Sequence, residues 1–174
     1  EASFAEVLQR APVEVPGLRH RIVFGTGDVA ATAYEDLVAT ASAAEPPDVV
    51  DEGDPFYFNL TSGTSGLPKC YVLTQYNNAT LFPMFVAMDM TSRDVALTVF
   101  PMYGRVGFAW AAAGMIYGNR HVVMNFEPGR ALQLIESERV TITNLVPTMG
   151  AMLLAHPELA VRDLSSLRAT VFAG

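Results

Sequence analysis

From residue 56 onward the chain alternates short apolar runs with longer amphipathic ones, and that alternation leaves few folds open. The runs at 56–60, 70–73, 96–100, 121–124, 141–145 and 169–172 have the length and apolar character of strands. Those at 75–88, 107–117, 129–138 and 148–154 are mostly apolar on one face at helical spacing. Alternation of this kind predicts an α/β unit with a mainly parallel sheet flanked by helices, because parallel neighbours need a crossover long enough to hold a helix. Ahead of it the pattern predicts a short helix at 2–10, a strand at 21–25 and a helix at 32–43 with Tyr34, Leu37 and Val38 on one side. Residues 44–55 hold three prolines and five acidic side chains and read as a surface linker. The expected organisation is a leading segment over 1–54 and an α/β subdomain over 55–174.

Composition agrees with a folded core and narrows the partners. Apolar residues make up 51% of the 174 and charged ones only 17%, which excludes intrinsic disorder. A net charge of −7 and a pI of about 4.8 argue against a broad surface for nucleic acid or anionic membrane. With Cys70 as its single cysteine the chain can form no internal disulfide, which points to the cytoplasm. The most apolar uncharged helical run, 106–118, is shorter than the ~20 residues that span a bilayer, so no membrane span is expected. The first residues lack the layout of a signal peptide and an initiator methionine, and the chain stops at the end of a strand. Both features lead us to expect a fragment of a longer parent. Ligands gather at the carboxyl ends of strands in open α/β sheets, so residues completing a binding site are expected in the missing remainder of that parent.

One segment carries chemistry. The apolar run Phe56-Tyr-Phe-Asn-Leu60 leads straight into Thr61-Ser-Gly-Thr-Ser-Gly-Leu-Pro-Lys69. Hydroxyls from Thr61, Ser62, Thr64 and Ser65, backbone amides around Gly63 and Gly66, and the ammonium of Lys69 are the groups that bind a polyphosphate. Lys69 is also the chain's only lysine, all other basic side chains apart from histidine being arginine. The loop is not a Walker A motif, because Cys70 rather than Ser or Thr follows the lysine and Tyr71-Val-Leu73 favours a strand. A flexible Gly/Ser tether is the plainer reading of such a composition, but a tether gives no reason for two flanking apolar strands or for the Pro-Lys ending.

The stretch from Leu60 to Cys70 closely resembles the Thr-Ser-Gly-Thr-Thr-Gly-x-Pro-Lys-Gly signature of the AMP-forming acyl-CoA synthetase, adenylation-domain and luciferase superfamily. Val72-Leu-Thr74, Val99-Phe-Pro-Met-Tyr-Gly104, Val146-Pro-Thr148 and Asp163-Leu-Ser-Ser-Leu-Arg168, leading to Ala173-Gly174, resemble later landmarks of that family in the same order. The resemblance covers roughly 55–174 and implies part of the large adenylate-forming N-terminal domain. It implies ATP with Mg²⁺, a small carboxylic acid and coenzyme A as the molecules handled. The acid attacks the α-phosphate to give an acyl-adenylate, and a thiol then displaces AMP. It also implies that Lys69 is catalytic, that Thr61, Ser62, Gly63, Thr64, Ser65 and Gly66 hold the phosphates with it, and that the fragment alone does not turn over. A carrier-protein thiol as acceptor, or a module that only grips nucleotide, are the alternatives.

Four positions depart from the family pattern: Ser65 for threonine, Cys70 for glycine, Gln75 for a frequent histidine, and Gly104 for the histidine of many fatty acyl enzymes. Phe100-Pro-Met-Tyr-Gly-Arg-Val-Gly107 is similar to a pattern in some aryl-acid ligases, which would make Tyr103, Gly104 and Gly107, together with Gly174, substrate-binding. The two glycines equally suit a turn between strand and helix. His20, His121 and His156 lack metal-ligand spacing and are read as surface or strand-end residues, so no metal site is expected among the side chains. Trp110, Met115 and Tyr117 are read as core, and Cys70, with no histidine partner in view, as unreactive.

Overall fold

The computed structural model describes residues 5–25, 30–47, 49–61 and 66–172. Two compact units, Glu1–Val49 and Val50–Gly174, emerge from the contacts. In the first, α1 spans Ala5–Glu14, and β1 (Ile22–Val23) pairs in parallel with β2 (Thr32–Ala33) ahead of α2 (Tyr34–Thr40). Positions 2–4 of the helix expected at 2–10 lie outside the described residues, and the helix continues past Pro12. The expected helix at 32–43 loses its start to β2, because Thr32 and Ala33 find ladder partners in Ile22 and Val23. Phe24 stacks on Tyr34 with ring centroids 4.3 Å apart.

In the second unit β3 (Pro55–Thr61) and β4 (Lys69–Thr74) pair with each other in antiparallel register, Thr61 opposite Lys69 and Leu60 opposite Cys70. They do not join the main sheet. Their connection is too short for a crossover, so a hairpin is the geometry open to them. The chain continues through α3 (Gln75–Ala79), α4 (Phe82–Ala87), β5 (Val95–Thr98), α5 (Arg105–Tyr117), β6 (Arg120–Val123), α6 (Pro128–Ser137), β7 (Ile142–Leu145), α7 (Pro147–Leu154), a 3-10 turn (Pro157–Val161) and β8 (Ala169–Phe172). The helix expected over 75–88 is two helices. Thr74 caps α3, its hydroxyl accepting from the Asn77 N–H while the Asn77 side chain accepts from Thr74 N–H, and Pro83 falls in the first turn of α4, where a missing N–H costs nothing.

The remaining strands form one four-stranded sheet, ordered β6-β5-β7-β8 and parallel throughout. The expected α/β class with a parallel sheet flanked by helices is thus the one observed. Every residue of the central β7 is buried, and alternate residues serve opposite faces. Ala96 and Ile142 pack with Phe85, Trp110 and Ala113 on one side, while Leu97 and Leu145 pack with Leu132, Ile135 and Leu153 on the other. Trp110 is core as read, whereas Met115 is 77% exposed, because α5 turns that face away from the sheet. No described helix is long and apolar enough to cross a membrane.

Asp94, 5% exposed, locks the N-terminal end of β5. Arg168 donates to both carboxylate oxygens at 2.8 Å, the Thr141 hydroxyl donates at 2.6 Å and the Thr91 N–H at 2.9 Å. The Arg168 bonds, aided by those of Thr141 and Thr91 against the cost of burial, hold the Asp94 carboxyl far below its ordinary value of 3.8. A group depressed in this way stabilises the fold above its unfolded pKa and loses that contribution as pH falls through its folded value. Asp94→Asn should therefore cost about 2 kcal/mol at neutral pH, by taking the charge out of the Arg168 bonds and opposing amide hydrogens to N–H donors, although Arg168 keeps the Met88 and Asp89 carbonyls. In urea unfolding at several pH values, the gap between wild type and variant should narrow as pH drops below about 4. A gap that is constant from neutrality to strong acid would show that the carboxylate charge contributes nothing.

Candidate functional site

The hairpin places the phosphate-type loop at its tip. Thr61 ends β3 and Lys69 begins β4, so residues 62–68 bridge one ladder pair, with the Thr61 hydroxyl donating to the Lys69 carbonyl at 3.4 Å. Ser62, Gly63, Thr64 and Ser65 lie outside the described residues. Gly66 has φ +109°, a conformation that disfavours any side chain, and Leu67 beside it is 82% exposed. Lys69 is exposed and makes no hydrogen bond or ion pair with another described residue through its ammonium. A cation held at a loop mouth without a protein anion is available to a ligand's charge. Cys70 is accommodated on the ladder opposite Leu60 with its side chain exposed, so the bulk it adds in place of glycine meets solvent.

A second group of predicted residues sits at the carboxyl end of β5. Pro101 O accepts from Gly104 N–H at 2.9 Å, and Gly104 then caps α5 with φ −91° and ψ 155°. Gly107 is required for packing: a Cβ there would lie 2.3 Å from Pro101 O and 2.7 Å from Phe100 O. Both glycines thus serve the turn. Tyr103 is 81% exposed, and the side chains that enter the adjoining cavity are Arg105 and Val106, which lie between the two glycines. Gly174 lies outside the described residues.

The hairpin and this turn are tied together. The Tyr57 hydroxyl donates to the Tyr103 carbonyl, and the Tyr57 ring stacks on Phe108 of α5 at 5.5 Å with 17° between planes. Tyr57 stands four residues before Thr61, so the loop's strand and the turn beside the cavity are braced by one side chain. Nothing local in the sequence marks Tyr57 or Phe108 for this, since the contacts cross about fifty residues of chain.

Arg105 is the other residue that sequence reasoning missed. Its Nη1 donates to Asn78 Oδ1 and its Nη2 to the Asn77 carbonyl, both at 3.0 Å. Burial pushes the guanidinium below its usual pKa, against a smaller opposite pull from Tyr71 and Tyr57. Of the histidines, His20 is exposed, and His156 caps the 3-10 turn by accepting from Glu158 N–H at 3.3 Å. His121 is half-buried on β6 beside Thr98, with its pKa lowered by burial. Among the described residues no three His, Cys, Asp or Glu side chains cluster as metal ligands.

Comparison with known proteins agrees with the loop. The family model of the AMP-binding enzymes matches residues 3–174. A feruloyl-CoA synthase from Amycolatopsis is 33% identical over 138 residues, covering 77% of this chain and 28% of the relative. A medium/long-chain-fatty-acid–CoA ligase of Mycobacterium tuberculosis is 32% identical over 173 residues, covering 99% and 28%. ATP-bound MatB from Rhodopseudomonas palustris superposes with a TM-score of 0.68 at 26% identity, over 80% of this chain and 28% of that one. The chain therefore spans 28% of the length of each of these relatives. The serine- and glycine-rich loop at the hairpin tip, the parallel sheet behind it and the match over nearly the whole length lead to one conclusion: the chain belongs to the AMP-binding enzyme family, as part of the N-terminal domain of the acyl-CoA synthetase, adenylation-domain and luciferase superfamily.

Proposed function

We propose that the chain is the phosphate-gripping part of an AMP-forming acid–thiol ligase that activates a carboxylic acid with ATP and passes the acyl group to coenzyme A. The observation that carries this reading is the exposed Lys69, unpaired among the described residues, at the mouth of a glycine-bent loop in a chain of this family. In the first half-reaction a carboxylate oxygen attacks the α-phosphorus and pyrophosphate leaves. In the second the thiolate sulfur attacks the acyl carbon and AMP leaves. Both partners of the first step are anions, so the work lies in charge neutralisation and alignment. Lys69 and the hydroxyls of Thr61, Ser62, Thr64 and Ser65, with the amides around Gly63 and Gly66, take the β- and γ-phosphates. Mg²⁺ enters as the counter-ion of the nucleotide's own phosphates, the described residues offering no cluster for it. The CoA assignment follows the two curated relatives, both named for CoA thioesters, and the single exposed cysteine suits a cytoplasmic setting.

Product analysis tests the acceptor. The full-length protein, given ATP, Mg²⁺, a competent acid and CoA, should form AMP and acyl-CoA in equal amounts. AMP release that needs an added carrier protein, with no acyl-CoA formed, would replace CoA by a carrier-protein thiol.

A further inference from the structure

Among the described residues β3 and β4 pair only with each other, and a two-stranded hairpin is marginal by itself. What fixes its position is therefore the packing of one of its faces. Across the antiparallel ladder Tyr57 stands opposite Leu73, Asn59 opposite Tyr71 and Thr61 opposite Lys69, so these six side chains share a face. Tyr57, Asn59, Tyr71 and Leu73 are half-buried, whereas Phe58, Leu60, Cys70 and Val72 on the reverse face are exposed. The face that carries Lys69 at its open end is thus the one turned toward the rest of its unit.

Tyr57 fastens that face. Its hydroxyl donates to the Tyr103 carbonyl, and its ring stacks on Phe108 with centroids 5.5 Å apart and 17° between planes. Phe56 meets the same Phe108 ring at 5.5 Å. The other strand is tied to the same place: just beyond β4 the Asn78 side chain and the Asn77 carbonyl each accept from Arg105, the residue that follows the cap of α5. Both strands are in this way held by residues 103–108. Thr61, with Lys69 opposite, lies four residues from Tyr57, about 13 Å along the ladder. A tilt of the hairpin at its fastened end moves this open end most, and a misplacement of about 1 Å is enough to cost about a hundredfold in rate.

We propose that Tyr57 is a positioning residue for adenylation: by fixing β3 to the Tyr103 carbonyl and the Phe108 ring, it sets where Lys69 stands on the paired strand. This rests on the adenylating function proposed above and adds a residue that acts on it from a distance. Tyr57 touches neither the nucleotide nor the acid in this account, and its whole effect on the rate passes through Lys69.

The test is a double-mutant cycle between Tyr57 and Lys69, read in ATP–pyrophosphate exchange by the full-length protein at saturating acid and ATP. Tyr57→Phe, which keeps the ring and loses the hydroxyl, should lower kcat about threefold, and Tyr57→Leu, which loses both, about tenfold, with the KM for the acid within about twofold of wild type. Lys69→Ala should then cost about fivefold less in the Tyr57→Leu background than in wild type, because an ammonium already out of place has less to lose. If Tyr57→Leu does not fold, Tyr57→Phe carries the same cycle with a smaller reduction of about twofold. A merely structural Tyr57 would lower the melting temperature and leave the Lys69→Ala factor the same in both backgrounds. That unchanged factor, or an effect confined to the KM for the acid, would overturn the inference. If no acid supports exchange, the Kd for ATP measured by calorimetry carries the cycle instead. A Lys69→Ala penalty on ATP binding that shrinks in Tyr57→Leu would then keep the positioning role while the adenylating function falls.

Discussion

Replacing Lys69 with alanine in the full-length protein is expected to slow adenylation by roughly ten- to a thousandfold, about 1.4 to 4 kcal/mol of barrier, while leaving the fold intact. The two halves of that expectation have separate causes. Lys69 is exposed and its ammonium meets no carboxylate among the described residues, so the folded state loses little when it goes. The transition state, by contrast, builds charge on the departing pyrophosphate, and a positioned ammonium acts on charge that develops there. Arginine should rescue only in part, because its planar fork places charge differently from a point-like ammonium. Exchange of pyrophosphate into ATP gives the rate and thermal melting of the same sample gives the fold. Unchanged exchange would remove Lys69 from the chemistry, and a large fall in melting temperature would make its role structural.

A large effect on stability is expected at Gly107. Alanine is the better helix former by about 1 kcal/mol, so propensity alone predicts a gain from Gly107→Ala. Sterics oppose it. The added carbon would sit 2.3 Å from the Pro101 carbonyl oxygen and 2.7 Å from that of Phe100, and backbone at a proline turn has little room to retreat. The net result should be a loss of about 3 kcal/mol in urea unfolding. Gly104→Ala is the matched control. Its φ of −91° suits any residue and its nearest contact, the Pro101 carbonyl oxygen at 3.3 Å, is tight but needs a shift of only a few tenths of an ångström, so it should cost no more than about 1 kcal/mol. Equal effects at the two positions would mean that the turn yields and that the glycines are there for another reason.

What the sequence revealed, and what it hid, follow from the range of the interactions involved. The strand at 169–172 and the α6 and α7 helices were legible because apolar periodicity is local and the sheet buries both faces of its strands. The break after Ala79 was missed in the single helix expected over 75–88, although Pro83 suits the first turn of a new helix better than the middle of an old one. Alternation suggested a sheet for β3 and β4, but their missing crossover sends them into a hairpin of their own. The loop at 61–69 stood out by its hydroxyls, glycines and single lysine and by its resemblance to a family signature, and the family is the one that the chain matches. Arg105 and Tyr57 did not stand out, because their significance depends on contacts between residues 27 to 46 apart in the chain. Arg168 was visible only as part of a motif, and its partner Asp94 lies 74 residues earlier.

The central claim is that the loop at 61–69 grips the phosphates of ATP while a carboxylate attacks the α-phosphorus, and ATP–pyrophosphate exchange by the full-length protein tests it most directly. Exchange should appear only when a carboxylic acid is supplied, should not require CoA, and should be accompanied on turnover by AMP and never by ADP. Release of ADP and phosphate, or exchange that proceeds equally without an acid, would place the attack elsewhere and contradict the account.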